Sequence, residues 1–126
     1  MDELVKEWLR KADNDLLNVE NNLNSERVPT DTVCFHCQQC AEKYLKAYLV
    51  YRKIEFPNIH NLLRLMELCK ESDETFETLR NYLLILNDYA VEIRYPDDWY
   101  EPGIDDAREA FENSQMVKTF IMEKLI

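Results

Sequence analysis

Between Cys34 and Cys40 the sequence reads CFHCQQC, which puts three cysteines and a histidine within seven residues. Thiolates and an imidazole this close together are the raw material of a Zn²⁺ site, and a Cys-x-x-Cys pair is the raw material of a dithiol redox centre. The bland alternative is packing, since free cysteine behaves as a small buried hydrophobe. On a helix turning about 100° per residue, Cys34, Cys37 and Cys40 spread over roughly 120°, with His36 about 40° beyond Cys40. Cys34 therefore pairs with Cys37, and His36 with Cys40. A tetrahedral Zn²⁺ site needs four ligands converging at about 2.0 to 2.3 Å, and one straight helix offers two neighbours more readily than four. The rest would have to come from Cys69 or His60, which stand at no motif spacing. A redox Cys-x-x-Cys usually follows a strand in a βαβ unit, and the chain has no such pattern. Cys34, Cys37, Ala41, Tyr44, Tyr48 and Tyr51 do form a three-four stripe, so sulfur is read as packing material, with no metal and no cofactor.

The elements that carry these residues are helices. The chain has 126 residues, 46% of them hydrophobic, with one glycine and four prolines, which suits one domain (1–126) of long helices joined by few loops. Val5, Leu9, Ala12, Leu16, Val19 and Leu23 step by four and three along a first helix. Pro29 breaks the pattern, and Thr30 or Asp31 is the expected N-cap of a second helix running to near Ile54. Pro57 closes it, Asn58 is the expected cap of a short third helix carrying Leu62, Leu65, Met66 and Cys69, and KESDE separates this from the next. Leu79, Tyr82, Leu86, Tyr89 and Ile93 mark a fourth helix that Pro96 ends, and Ala107, Ala110, Ser114, Val117 and Ile121 mark a fifth, with Asp105 and Asp106 in its first turn. The fold class is all-α: an up-and-down bundle of about five helices, four long and one short.

Fifteen basic against twenty-five acidic side chains give a net charge of −10, which repels phosphate backbones and disfavours RNA as a ligand. No run of 18 apolar residues occurs and the charged start MDELVKEWLRK differs from a signal peptide, so a cytoplasmic protein with no membrane association and free thiols is expected.

FHCQQCAEKYLKAYL strongly resembles the signature helix of HEPN domains, F-H-A-Q-Q-A-A-E-K-x-L-K-A, with Cys37 and Cys40 where that pattern usually has alanine. A leading helix with Trp8, Arg10, Ala12 and Asp15 is similar to the family's W-x-x-x-A-x-x-D-L; IHNL at 59–62 resembles its t-H-d-L; YAVEIRYPDD at 89–98 resembles its y-a-v-x-x-R-Y-P. The resemblance implies a HEPN-like bundle that commonly dimerises and is often encoded beside a minimal nucleotidyltransferase. It also implies a choice of function. Many HEPN proteins are metal-independent ribonucleases whose motif is an arginine, four to six residues, then a histidine. Here Arg94 is followed by Tyr95, Pro96, Asp97, Asp98, Trp99, Tyr100 and Glu101, so the general acid/base of that motif is missing. Tyr100 stands at the right distance, but a phenol of ordinary pKa near 10 is a poor base at neutrality.

The expected function is a non-catalytic, homodimeric interaction module that binds a minimal nucleotidyltransferase in a toxin–antitoxin-like or nucleotide-transfer system. A degenerate or atypical ribonuclease is the alternative. Catalytic residues are not assigned. Candidates for binding a nucleotide or a partner are His36, Gln39, Glu42, Lys43, His60, Arg94, Tyr95 and Asp97. Gln38 is expected on a solvated face, while Gln39 and Glu42 suit either that face or a groove. Arg94 suits an anion or a carboxylate such as Asp97 or Glu92. The aromatic turn Tyr95, Trp99 and Tyr100 suits a docking surface and equally a loop pinned to its own bundle.

Overall fold

The computed structural model describes residues 1–90 and 101–125. Within them the order is α1 (Glu3–Leu23), α2 (Thr30–Tyr51), α3 (Leu62–Lys70), a 3-10 segment (Glu74–Leu79) running directly into α4 (Arg80–Asn87), and α5 (Ile104–Lys124), with no strand among the described residues. The all-α bundle is as expected. α2 is its central helix, packed along α1 and α5 and also against α3 and α4. The stripe of α1 turns inward at Val5, Ala12, Leu16 and Val19, and that of α5 at Ala107, Ala110, Ser114, Val117 and Ile121.

Helix ends follow local chemistry. The Asp2 carboxylate accepts from the amides of Leu4 and Val5 at 2.8 and 3.2 Å and so satisfies two of the orphan donors of α1. Asp106 accepts from the Gly103 amide at 2.8 Å at the start of α5. α2 differs from expectation at both ends. Neither Thr30 nor Asp31 is its N-cap, because the cap position is Pro29; the Thr30 hydroxyl instead donates to the Pro102 carbonyl at 2.7 Å, tying the start of α2 to the entry of α5. At the other end α2 stops at Tyr51 rather than near Ile54. The Ile54 amide bonds the Leu49 carbonyl at 2.9 Å and the Lys53 amide bonds Val50 at 3.0 Å, with Lys53 at φ 58. This is the double bond of a Schellman termination, complete before Pro57 is reached.

Asn58 does not cap α3. Asn61 does, accepting from the Leu63 and Arg64 amides at 3.0 and 3.3 Å. The fourth helix begins as the 3-10 segment, capped by Asp73, and its α portion ends at Asn87, so Tyr89 lies beyond it; Ile93 and Pro96 lie outside the described residues. The 3-10 segment is pinned by Phe76, whose ring centroid is 4.5 Å from Tyr48 and 4.9 Å from Phe120. Those contacts join α2 and α5 through one fully buried ring.

Candidate functional site

All four cysteines are free and fully buried. Burial pushes the Cys34 and Cys37 thiols up to about 12 and raises Cys40 and Cys69 as well. The thiolate is both the metal ligand and the nucleophile, so these groups are held in their inert form. Among the described residues no group of three or more His, Cys, Asp and Glu side chains is placed to hold a metal ion. The cysteines pack where the inward face of α2 meets its neighbours.

The polar chemistry lies on the sides of α2 that meet α1 and the loop before α3. Asp15, with a side chain 9% exposed, reaches out of α1 and serves two residues of α2 at once. Its Oδ1 lies 2.9 Å from His36 Nδ1, and its Oδ2 accepts from Lys43 Nζ at 2.7 Å. A carboxylate beside an ammonium only accepts, so Nδ1 of His36 carries the proton and Nε2 is the nitrogen able to accept one. The spacing of α2 makes this geometry: residues 36 and 43 are seven apart, two turns, and so lie on one face.

A second group repeats the theme. Glu42 and Lys46, four apart on α2, form an ion pair at 3.1 Å with side chains only 5% and 4% exposed. His60 Nδ1 stands 3.0 and 3.2 Å from the two oxygens of Glu42. Gln38 Nε2 donates to the His60 carbonyl at 3.1 Å, and Gln39 Nε2 donates to Gln38 Oε1 at 2.7 Å. The loop carrying His60 is thus clamped to α2 through both its side chain and its backbone. The Lys46 ammonium also lies 5.7 Å from the Trp8 ring centroid and 5.8 Å from that of Phe56, within cation–π range.

The structure therefore brings His36 and Lys43 together on Asp15, and Gln39, Glu42 and His60 together around Gln38 and Lys46. Arg94, Tyr95 and Asp97 lie outside the described residues, as do Trp99 and Tyr100. One expectation is overturned: Gln38 is fully buried, not solvated, because α2 is covered on that side by the His60 loop. Two residues escaped the sequence reading as site members. Lys46 looks like a surface lysine in a charged helix, and Asp15, though it matches the family's leading-helix motif, was not assigned a site role; its place among Ala12, Leu16 and Val19 on a buried stripe was the signal that could have found it.

Between the first turns of α1, the middle of α2 and the His60 loop lies a cleft of about 430 Å³. Trp8 and Leu4 form its apolar wall, and Glu42, Lys43 and Lys46 come up from below.

The family model described as the HEPN domain matches residues 5–125. The chain belongs to the HEPN domain family. Among solved structures this HEPN chain is similar to TT1696 from Thermus thermophilus, with a TM-score of 0.82 and 27% identity over 96% of this chain and 98% of that one. It also shares its fold with ST0689, an archaeal HEPN homologue, at a TM-score of 0.75 and 23% identity, covering 97% and 98% of the two chains. No curated protein matches it. Among the described residues no helix is long and apolar enough to cross a membrane.

Proposed function

We propose that this chain is one non-catalytic HEPN domain, a cytoplasmic homodimer that works by binding a minimal nucleotidyltransferase protein in a toxin–antitoxin-like or nucleotide-transfer system. One observation carries the reading: the positions separated from Arg94 by four to six intervening residues, where HEPN ribonucleases place histidine, hold Trp99, Tyr100 and Glu101. The placement of the other histidines supports it. His36 and His60 each give Nδ1 to a buried carboxylate, Asp15 and Glu42, in networks that brace α1 and the His60 loop against α2. Such networks fix a surface in one geometry, which is what a recognition module needs.

The experiment has two parts. Light scattering on the purified protein is expected to give twice the 15.1 kDa chain mass. The reading frame beside the gene is expected to encode a short protein with a G-S-x-D-x-D nucleotidyltransferase signature that co-purifies with this chain. A monomer, or a neighbouring nucleotidyltransferase that fails to co-purify, removes the proposal.

A second reading, an atypical metal-independent ribonuclease, is favoured by the Asp15–His36 pair alone. A carboxylate that holds Nδ1–H leaves Nε2 as a general base.

A further inference from the structure

The cleft between α1, α2 and the His60 loop has an unequal stock of hydrogen-bonding groups. Its two carboxylates are already engaged. The two oxygens of Glu42 take His60 Nδ1 and Lys46 Nζ, and those of Glu7 take the Arg10 guanidinium. The donors are in surplus. An ammonium carries three protons; Lys43 gives one to Asp15 and Lys46 one to Glu42, while Lys11 stands exposed at the rim. In a chain of net charge −10 with eight lysines in all, three of them line this one cleft.

The wall is apolar and flat. Trp8 is half-buried, one helical turn before Lys11 on the same face of α1, so an indole ring and an ammonium address the same space. The floor is a buried Glu42–Lys46 pair, and taking both charges out of water carries a desolvation penalty that their mutual attraction has to offset. A bundle that needed only packing there would gain from apolar side chains. The volume of about 430 Å³ lies in the range of small-ligand pockets.

We propose that this cleft is a binding site for a small organic anion with a flat apolar body, an aryl phosphate or aryl carboxylate, whose ring lies on Trp8 and whose anionic head meets Lys11 and Lys43. The site does not rest on the partner reading above, and its test needs no partner.

The chain has two tryptophans, Trp8 and Trp99, so a Trp99→Phe variant leaves a single indole N–H resonance that reports on the cleft. That variant is titrated with phenyl phosphate, benzoate, inorganic phosphate and phenol. A saturable shift with phenyl phosphate or benzoate, and a far weaker response to inorganic phosphate and to phenol, supports the site; which aryl anion binds tighter identifies the head group. Lys11→Gln is expected to weaken that binding about tenfold, the loss of one charge-assisted contact. No saturable shift with either aryl anion, an equal response to phenol, or unchanged affinity in Lys11→Gln overturns it.

Discussion

His36 Nδ1 and Asp15 Oδ1 stand 2.9 Å apart across the seam of α1 and α2, so the imidazole is oriented by a carboxylate from a different helix. The other oxygen of Asp15 holds Lys43, which makes this one carboxylate the shared acceptor of two α2 side chains. Removing the acceptor is therefore worse than removing either donor.

Asp15→Ala strands a partly buried ammonium and an imidazole at once and is expected to cost about 3 kcal/mol. His36→Ala leaves Asp15 paired with Lys43 and is expected to cost about 1 kcal/mol. Urea unfolding midpoints measure both, and the double variant gives the coupling. Equal costs for the two single variants would mean that Asp15 does not serve as the hub.

The buried thiols predict an alkaline weakness. Cys34 and Cys37 are raised to about 12 when folded, whereas an unfolded thiol titrates near 8.5. Between those values the unfolded chain releases protons that the folded chain keeps, so stability falls as pH rises from about 8.5 toward about 12. Tyr44, raised by burial and by its bond to Asp13, acts in the same direction. Cys37→Ala with Cys40→Ala is expected to cost about 1 to 3 kcal/mol at pH 7 while keeping the fold. It should also flatten the decline measured by urea midpoints at alkaline pH. A decline as steep as the parent's would mean that these thiols titrate alike in both states.

The stripes of α1 and α5 were legible because each helix has one buried face, and a period of three and four then marks that face. α2 was harder to read. Neighbours cover it on several sides, so Gln38, Glu42 and Lys46 are buried although their types suggest solvent. Polar residues on a central helix carry the same letters as polar residues on a surface; only the partners distinguish them, and His60 is eighteen residues from Glu42. The α3 cap was misplaced for a local reason. Asn58 follows a proline and looks like a start signal, but the chain turns first, with the Ile59 amide on the Pro57 carbonyl at 2.8 Å, and Asn61 is the residue next to Leu62.

Asp73 carries an acid-side prediction. The Thr75 hydroxyl, at 2.6 Å, and Lys124, at 2.9 Å, hold its carboxyl down at about 2. A carboxyl depressed in the folded state contributes fully above its unfolded value near 4, and the contribution is lost as pH falls from about 4 through about 2. Asp73→Ala is expected to lose about 1 kcal/mol at neutral pH, as other N-cap removals do, and to lose less stability than the parent between pH 4 and 2. Glu77, held down beside Arg80 and Lys70, titrates in the same window but is exposed, so added salt should weaken its share first. Thermal melts at pH 7, 4 and 2.5, with and without salt, separate the two. Parallel melting curves for parent and variant across that range would remove Asp73 from the account.

The isolated protein is expected not to cleave RNA. Phosphodiester cleavage without metal needs an acid/base poised near the working pH, and no histidine follows Arg94 at the family's spacing. His36 is the residue best prepared to replace it, since Asp15 fixes its tautomer, yet it is 23% exposed and its carboxylate partner is shared with Lys43. The net charge of −10 opposes capture of a polyanion at physiological salt, and of the basic residues on α2, Lys46 is buried against Glu42. Purified protein is incubated without metal with total tRNA and a structured messenger, beside Arg94→Ala and His36→Ala variants. Intact RNA in every lane is the expected result. Cleavage by the parent that Arg94→Ala abolishes would overturn the non-catalytic reading, and its loss in His36→Ala as well would make the Asp15–His36 pair the base.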